Sequence, residues 1–230
     1  MLPRRAKENH SSMQESPFPE VELIIKTMAE TVVANETYFS ELDAVVADGD
    51  FGFSLARGFS AVLEDFDKLN RSSIGAFLKA VAMVLSSKVG GASGPLWGTA
   101  FLRAAGVAGD KTALTSAEVI AMLRAAVAGI QQRGCAVLGD KTLLDALVPA
   151  IDALEAVLTA PGGGDHGVTA VQQAAAAARQ AADATVTMVA KKGRASYTGE
   201  RSRGSVDAGA VAIAVIAEKI SAVWRERHTA

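Results

Sequence analysis

From Val21 to the end of the chain, apolar residues recur every three to four positions, which is the spacing of one face of an α-helix. The alternation typical of strands is almost absent. Glycine-rich or polar connections separate the amphipathic segments. We therefore predict eight helices, and these cover residues 21–43, 53–69, 73–87, 94–108, 116–133, 141–158, 167–192 and 207–228.

The composition favours one helical domain. Half of the 230 residues are hydrophobic, which is enough for a single large core, and only 5% are aromatic. This composition is typical of helices that pack closely through small side chains. The sequence shows no repeat and no internal domain boundary. We predict one all-α domain over residues 21–230, preceded by a flexible, polar N-terminal extension over residues 1–20.

Charge and cysteine content disfavour several classes of protein. The formal net charge of −2 gives no support to binding of nucleic acid or of an anionic membrane. No apolar run reaches the ~20 residues of a membrane span, and the first 20 residues lack the apolar core of a signal peptide. Because Cys135 is the only cysteine, we expect neither a disulfide framework nor a thiolate metal site, and we expect a cytoplasmic protein.

Three aspartates, Asp43, Asp48 and Asp50, lie within eight positions of the chain. On one continuous helix they would point in different directions, because each residue turns the helix by ~100°. They converge only if the helix stops just after Asp43 and the chain folds back, which Gly49 and Gly52 permit because glycine tolerates positive φ. Three converging carboxylates require a cation, and ligation by oxygen alone points to Mg²⁺ or Ca²⁺.

The spacing of this stretch favours Mg²⁺. A Ca²⁺ loop of the EF-hand type would place a carboxylate at the twelfth position counted from Asp48, where this chain has Phe59. Mg²⁺ keeps coordination positions open for water or for phosphate oxygens, so the aspartates predict a ligand that carries phosphate. An Asp- and Gly-rich surface turn with helix-capping aspartates is the alternative interpretation.

A second unusual stretch, rich in glycine, covers residues 90–94 and precedes a predicted helix. Pro95 falls in the first turn of that helix, a position that suits proline, and we expect Ser93 to cap it. Glycine backbone can approach an anion closely, and a helix N-terminus offers free N–H groups, so we predict a phosphate site. An ordinary glycine-rich connection between two helices is the alternative.

Residues 134–142 look like a phosphate-binding P-loop. Asp140 intrudes before Lys141, however, and no predicted strand precedes the motif, so we reject that interpretation. Gly134 and Gly139 still form a platform of small residues against which a flat base can rest.

The last polar stretch covers residues 191–210 and contains Arg194 and Asp207. An arginine can bind a phosphate with two hydrogen bonds. A solvated basic loop is the alternative interpretation of this stretch.

Taken in order, the segments "ELDAVVADGDFG", "GGASGPLWGTAFLRAAG", "GDKTLLDAL" and "GRASYTGERSRGSVDAGA" resemble the nucleotide-binding L subunit of dihydroxyacetone kinases. The same domain forms the C-terminal half of single-chain, ATP-dependent ketose kinases. The resemblance runs from about Val21 to the end of the chain. It implies a closed barrel of eight antiparallel amphipathic helices with the nucleotide at one end.

The resemblance also implies roles for individual residues. Asp43, Asp48 and Asp50 match the residues that hold two Mg²⁺ ions in the family, and these ions bridge to the nucleotide phosphates. The remaining matched positions belong to the phosphate-contacting turn, the glycine-rich loop, the adenine pocket and the segment that closes over ATP or ADP. They are Phe51, Gly52, Phe53, Ser54, Ala92, Ser93, Gly134, Leu143, Arg194, Asp207, Ala208 and Gly209.

Three of these positions depart from the family pattern. The family commonly has His or Cys where this chain has Phe51, Asn or Thr where it has Ser54, and Pro where it has Ala208. Phe51 cannot donate a side-chain hydrogen bond to a phosphate, so any contact there must come from the backbone. Ser54 keeps a hydroxyl, closer to the ATP-using members, and this favours exchange of free ATP over a retained ADP.

In these kinases a separate K subunit or domain holds the ketose through a histidine. The three histidines here, His10, His166 and His228, lie outside every motif. We therefore predict a phosphoryl-donor subunit that transfers the terminal phosphate of ATP to dihydroxyacetone, or to a related short-chain ketose, bound to a K subunit. We expect a homodimer or a hetero-oligomer. Catalysis would rest on positioning and charge stabilisation, so no residue of this chain is predicted as a general base.

Three other functions stay open. The first is a subunit that retains ADP and is recharged from phosphoenolpyruvate by a phosphoryl carrier protein. The second is a nucleotide-binding regulatory subunit that contacts a transcription regulator. The third, a structural interaction protein with a degenerate site, is disfavoured because all three aspartates are present alongside the loop glycines.

Overall fold

The computed structural model describes residues 16–160 and 166–229, and every regular element within them is helical. The prediction of an all-α protein is therefore confirmed. The α-helices of these residues are α1 (Pro19–Ala34), α2 (Glu36–Ala44), α3 (Phe51–Glu64), α4 (Ile74–Lys88), α5 (Ser93–Ala108), α6 (Ser116–Gly134), α7 (Leu144–Leu158), α8 (Gly167–Ala184) and α9 (Ala208–Thr229). Short 3-10 helices lie at Phe66–Lys68, Thr185–Thr187 and Arg194–Ser202.

The first predicted helix is divided in two at Asn35. The Asn35 side chain donates a hydrogen bond from Nδ2 to the carbonyl of Thr31 at 2.8 Å, and the Asn35 backbone N–H donates to the same carbonyl. An asparagine that binds the backbone in this way competes with helix continuation. Residues 21–43 therefore hold parts of α1 and α2 instead of one helix. The second of these helices ends at Ala44, directly after Asp43, as the sequence predicted.

Three other helix ends also differ from the prediction by three residues or more. Helix α3 ends at Glu64 rather than at residue 69, and a short 3-10 helix follows at Phe66–Lys68. Helix α7 begins at Leu144 rather than at residue 141, because the carboxylate of Asp145 accepts hydrogen bonds from the backbone N–H groups of Gly139 and Thr142 and holds the preceding residues in a turn. Helix α8 ends at Ala184 rather than at residue 192 and passes into a 3-10 turn.

The first helix begins slightly earlier than the sequence predicted. Helix α1 begins at Pro19, and Phe18 is buried with its ring 5.6 Å from that of Phe77. The first helix thus starts two residues before position 21. Residues 1–15, the main part of the predicted flexible extension, lie outside the described residues.

The helices of the described chain share one large core, to which α1, α3, α4, α5, α7, α8 and α9 contribute buried apolar residues. Successive helices from α3 to α9 contact each other, and α1 contacts both α3 and α9. Phe59 is fully buried, and its ring packs nearly perpendicular to that of Trp97, with 5.6 Å between the ring centroids. None of the helices in the described ranges combines the length and the apolar character that crossing a membrane requires.

Small residues bring the helices into close contact, as the composition predicted. A Cβ atom added at Gly98 of α5 would lie 1.8 Å from Oγ of Ser86 in α4, and one added at Gly75 would lie 2.3 Å from the carbonyl of Gly109. Neither distance is possible for a real side chain. The α4–α5 hairpin, which carries the glycine-rich loop, therefore has its packing fixed by glycine.

Candidate functional site

Four connections converge on one open cavity of about 850 Å³. They are the α2–α3 turn with its aspartates, the α4–α5 loop, the α6–α7 connection and the segment that leads into α9. These are the connections in which the sequence placed the polar and glycine-rich motifs. The predicted concentration of chemistry at the loops is thus matched by a single cavity that the loops share.

The three aspartates do converge. Asp43 lies in the last turn of α2, and the chain then reverses through Gly49, whose φ of +74° is left-handed. Carboxylate oxygens of Asp43, Asp48 and Asp50 lie within 4.8 Å of one another. An all-oxygen set of this kind fits a hard divalent cation.

Asp43 also shapes the turn that it belongs to. Its Oδ2 accepts a hydrogen bond from the backbone N–H of Gly49 at 3.0 Å, and its carboxylate also accepts one from Phe51. Burial raises the pKa of Asp43, and the neighbouring Asp50 charge acts in the same direction, while these two backbone hydrogen bonds oppose the rise. Asp43 is the most enclosed of the three carboxylates, and it fixes the turn that presents the other two.

Arg194 brings a positive charge to the aspartates from the far end of the chain. Its guanidinium Nη1 pairs with Asp50 Oδ2 at 2.9 Å and also with Asp48. All three side chains remain about half exposed. The C-terminal segment that carries Arg194 is thereby brought over the turn at the start of α3.

The start of α3 packs tightly on α2. A Cβ at Gly52 would lie 2.1 Å from the carbonyl of Glu36, so only glycine fits there. The Phe53 backbone N–H donates to Ser40 Oγ at 3.1 Å, while the Phe53 ring is exposed at 56%. The ring of Phe51 lies 6.4 Å from that of the buried Phe39 and packs against the core.

The glycine-rich loop connects α4 to α5 through Gly91, whose φ is +59°. Ala92 occupies the N-cap position of α5, and Ser93 is the first residue of the helix and makes no side-chain capping bond. The expected capping role of Ser93 is therefore wrong, because the turn places the serine one residue too late. Pro95 does lie in the first turn, as predicted, and Ser93 lines the cavity.

The opposite part of the cavity is apolar. Gly134 ends α6, and a Cβ there would lie 3.1 Å from Cδ2 of Leu96. Leu143, just before α7, faces the same space, and a Cβ at Gly209 would lie 3.2 Å from its Cβ. These apolar and small side chains form a surface against which a flat, uncharged ring can pack.

Asp207 caps the N-terminus of α9. Its Oδ2 accepts a hydrogen bond from the Ala210 backbone N–H at 2.7 Å, and its own backbone N–H donates to Thr185 Oγ1 at 2.8 Å. The residue keeps some contact with solvent, but burial of its carboxyl group raises the pKa of Asp207 to about 7. The carboxylate of Asp145 adds to this rise, and the ammonium of Lys141 opposes it.

Sequence reasoning missed the part that Lys141 and Asp145 play. Both are buried, at 2% and 5% exposure. Asp145 orders the turn before α7, and Lys141 donates hydrogen bonds from Nζ into the segment before α9. Both residues belong to the segment "GDKTLLDAL", whose first four residues were weighed in the sequence analysis as part of a possible P-loop and therefore as a phosphate site. In the structure Lys141 binds backbone carbonyls, and no strand precedes it within residues 16–160, which agrees with the rejection of a P-loop.

The structure brings nearly all predicted site residues to this cavity. Gly52 and Phe53 are the exceptions: the first packs against α2 and the second lies at the surface beside it. The cavity is lined by Asp43, Asp48, Asp50, Phe51, Ser54, Ala92, Ser93, Gly134, Leu143, Arg194, Asp207, Ala208 and Gly209. The cavity is also lined by basic residues that the sequence analysis did not predict as site residues, and these are Arg133, Lys141, Lys191 and Lys192.

Comparison with known sequences gives the same family for most of the chain. The model of the DAK2 domain matches residues 45–222. The chain is 40% identical over 193 residues to the PEP-dependent dihydroxyacetone kinase, ADP-binding subunit DhaL, of Escherichia coli K12, which covers 82% of this chain and 89% of that protein. It is 37% identical over 191 residues to the PTS-dependent dihydroxyacetone kinase, ADP-binding subunit DhaL, of Lactococcus lactis, with 83% and 90% covered.

A solved structure shows the same fold. The dihydroxyacetone kinase from C. freundii in complex with AMP-PNP and Mg²⁺ superimposes with a TM-score of 0.71 over 97% of this chain, at 24% identity. This chain corresponds to 38% of the length of that enzyme's chain. The sequence relatives and the domain match confirm the resemblance that the four motifs indicated. The chain therefore belongs to the DAK2 domain family, and within it resembles the DhaL type of dihydroxyacetone kinase subunit.

Proposed function

We propose that this protein is the ADP-binding, phosphoryl-donor subunit of a dihydroxyacetone kinase driven by phosphoenolpyruvate. The observation that carries the proposal is the 40% identity, over most of both chains, to an ADP-binding subunit of a PEP-dependent enzyme. The Lactococcus relative is of the corresponding PTS-dependent type. This was the alternative in the sequence analysis, and the relatives favour it over the transfer from free ATP that we expected first.

The cavity fits a nucleoside diphosphate and Mg²⁺. Asp43, Asp48 and Asp50 would hold the metal, because they supply clustered carboxylate oxygens and Mg²⁺ prefers oxygen ligands. We propose two ions, as the family resemblance implies. When bound, Mg²⁺ neutralises charge on the phosphate oxygens and so favours phosphoryl transfer.

The other residues of the cavity have complementary tasks in this proposal. Leu143 and Gly134 form an apolar surface for the base, and the loop that ends in Ser93 opens the N-terminus of α5 toward phosphate. Arg194 carries a guanidinium that can pair with phosphate oxygens as it pairs here with Asp50. These groups bind and orient the nucleotide, and orientation with charge stabilisation is most of what phosphoryl transfer demands of a protein.

Phe51 and Ser54 bear on the second candidate function, which is exchange of free ATP. The Phe51 ring is apolar and packs toward the core, so the side chain adds no phosphate contact. Ser54 places a hydroxyl on the cavity wall, as expected for the ATP-using members. The absence of one charge-assisted hydrogen bond weakens the binding of a phosphate by roughly 1.5–3 kcal/mol. The nucleotide would then be held less tightly, and this is the specific argument for exchange of free ATP.

The acceptor of the phosphoryl group lies on another protein in this proposal. Among the described residues that line the cavity there is no histidine, and His228 lies exposed near the end of α9, where its ring stacks on Trp224. We propose a K subunit as the partner that holds the ketose and a phosphoryl carrier protein as the source of phosphate. The ketose would be dihydroxyacetone or a related short-chain ketose chosen by the K subunit.

One experiment separates the two candidate functions. The chain is purified without added nucleotide, dialysed and extracted with acid, and its adenine content is measured. It is then assayed with a K subunit, either with ATP alone or with a phosphoenolpyruvate-driven carrier chain. The proposal predicts about one ADP per chain and turnover only with the carrier chain. Turnover on ATP with freely exchanging nucleotide would move the assignment to the ATP type, and absence of Mg²⁺-dependent nucleotide binding would contradict both.

We also propose that the helices form the closed barrel that the family resemblance implies. The contacts support this arrangement, since α1 contacts α9 as well as α3 and every helix from α3 to α9 contacts its successor. In this ring α2 lies outside the series and packs on α3 and α9. Eight helices, α1 and α3 to α9, would then close the barrel. Helix α1 is the first part of the predicted helix that is divided at Asn35.

A further inference from the structure

Lys141 combines features that a surface lysine does not have. Lys141 is only 2% exposed, and its φ of +61° is in the left-handed region that is uncommon for residues other than glycine. Burial lowers the pKa of its ammonium group. A buried charge of this kind is retained only when it is paired or fully hydrogen-bonded.

The ammonium group meets this requirement with backbone carbonyls. Nζ donates hydrogen bonds to the carbonyl of Met188 at 3.2 Å, to that of Ser205 at 2.6 Å and to that of Ser202. A lysine has three ammonium donors, so these three acceptors use all of them. All three acceptors lie in residues 188–206, which we call the closing segment.

The closing segment has few regular features that would hold it by itself. Its 3-10 helix is broken at Gly199, where φ is +58°, and it contains no α-helix. Yet it carries Arg194 over the aspartates and leads directly into Asp207 and α9. Its position therefore depends on ties to neighbouring elements.

Some of these ties come from the residues after α8, since Gly204 and Arg203 donate hydrogen bonds to the carbonyls of Val186 and Thr187. The turn before α7 supplies the others. Beside Lys141, the backbone carbonyl of Asp140 accepts a hydrogen bond from the Lys191 backbone N–H at 3.0 Å, and the Asp140 carboxylate pairs with the Lys191 ammonium at 3.5 Å. Asp145 accepts two backbone hydrogen bonds from the same turn, which continues into Leu143 at the edge of the cavity. Lys141 thus joins the turn before α7 to the segment that covers the aspartates.

We infer that Lys141 is a positioning residue that holds the closing segment over the nucleotide and thereby sets how slowly the nucleotide leaves. The inference rests on the proposed function for the presence of a nucleotide. The hydrogen bonds that join Lys141 to the closing segment do not depend on that function. It assigns no contact between Lys141 and the ligand. A shorter or uncharged side chain would leave carbonyls without donors and free the segment to move.

The test compares Lys141→Met with Lys219→Met, an exposed lysine of α9 that does not line the cavity. Hydrogen exchange is measured on the nucleotide-free full chain, and dissociation of a fluorescent ADP is measured with Mg²⁺. We expect amides of the closing segment to exchange at least about tenfold faster in Lys141→Met, while amides of α4 and α5 stay within about twofold. We expect ADP to dissociate about tenfold faster or more, with Lys219→Met unchanged in both measurements.

The outcomes separate the inference from the proposed function. If neither the unmodified chain nor a variant binds ADP, the proposed function fails, but faster exchange confined to the closing segment still supports the tie. If exchange and dissociation both stay within about twofold of the unmodified chain, the inference is wrong. Lys141→Gln, which keeps two N–H donors, is measured beside Lys141→Met and should fall between it and the unmodified chain. Global unfolding of both variants would also overturn the inference, since it assigns Lys141 to the closing segment and not to the whole fold.

Discussion

The two sides of the cavity are held in place by different kinds of interaction. One side, which we call the glycine wall, comprises residues 36–58 and 86–98, and its helices meet through glycine. A Cβ at Gly52 would lie 2.1 Å from one backbone oxygen, and a Cβ at Gly94 would lie 2.4 Å from another. The other side, the polar wall, comprises residues 137–145 and 188–209 and depends on the buried Lys141 and Asp145.

The difference has consequences for how each wall responds to conditions. Close packing of backbone against backbone changes little with pH or salt, whereas hydrogen bonds to charged groups follow the protonation of those groups. The wall that presents the aspartates and the glycine-rich loop is therefore expected to be rigid. The wall that carries Arg194 is expected to be the adjustable one.

The largest effect is expected from Gly52→Ala in the glycine wall. The new methyl group would collide with the Glu36 carbonyl, and backbone cannot move aside as a side chain can, so we expect a loss of about 4 kcal/mol in the free energy of unfolding. Urea denaturation measures it. Gly106→Ala is the matched control, because that helical position has open space and should gain up to about 1 kcal/mol. Equal stability of the two variants would contradict the packing argument.

A pH dependence is expected from Asp207 in the polar wall. Its pKa is raised to about 7 in the folded state from an ordinary value of 3.8. The unfolded chain therefore loses this proton first, and the stability that Asp207 contributes falls as the pH rises from about 4 to about 7. Asp207→Asn removes this loss and can still accept the Ala210 hydrogen bond. We expect the variant to gain about 2–4 kcal/mol over the unmodified chain at about pH 8, and little at about pH 4.

Thermal or urea unfolding across this pH range checks the expectation. Asp67→Asn is the control, since Asp67 is exposed and outside the cavity. Parallel stability curves for the unmodified chain and Asp207→Asn would show that Asp207 does not titrate there. A pH dependence that survives in Asp207→Asn would have to come from other groups, such as Asp43, whose pKa is also raised by burial.

The glycine wall was largely predictable from sequence, and the polar wall was not. Asp43, Asp48 and Asp50 lie within eight positions, so the convergence of their carboxylates depends on one local turn that Gly49 makes possible. The hydrogen bonds of Lys141, in contrast, join residues 61 and 64 positions apart. Spacing along the chain carries no information on such contacts.

Helix boundaries show the same limit. The break at Asn35 has neither proline nor glycine to mark it, and it follows from a side-chain hydrogen bond to Thr31 that helical spacing does not reveal. The start of α7 was misplaced because Asp145 binds the turn before it. In both cases a polar side chain that binds nearby backbone decided the local structure against a continuous apolar pattern.

Substitution of the proposed metal ligands tests the function that we propose for the glycine wall. Asp48→Ala and Asp50→Ala are expected to lower the affinity for ADP in the presence of Mg²⁺ about a hundredfold, which is about 2.7 kcal/mol. Each variant would bind Mg²⁺ more weakly, and without the metal the remaining carboxylates repel the phosphates. The helical circular dichroism should be unchanged. Titration of ADP, with and without EDTA, measures the effect, and Asp110→Ala in the α5–α6 connection serves as the control. Equal ADP affinity of the unmodified chain in EDTA and in Mg²⁺ would refute the metal bridge.

The smallest effect on stability is expected from Arg194→Ala in the polar wall. Arg194 pairs with Asp48 and Asp50 through side chains that are about half exposed, and exposed ion pairs of this kind contribute little, so unfolding of the nucleotide-free chain should change by less than about 0.5 kcal/mol. Affinity for ADP with Mg²⁺ should nevertheless fall about tenfold, because a charge-assisted bond to phosphate is lost.

The matched control for Arg194→Ala is Arg201→Ala, an exposed arginine of the same segment that does not line the cavity. It should change neither stability nor affinity. A loss of more than about 1.5 kcal/mol in the nucleotide-free Arg194→Ala chain would show that the surface ion pair, rather than the buried Lys141, holds the closing segment. The polar wall would then be fixed from the aspartate side of the cavity, and its position would depend directly on what binds those aspartates.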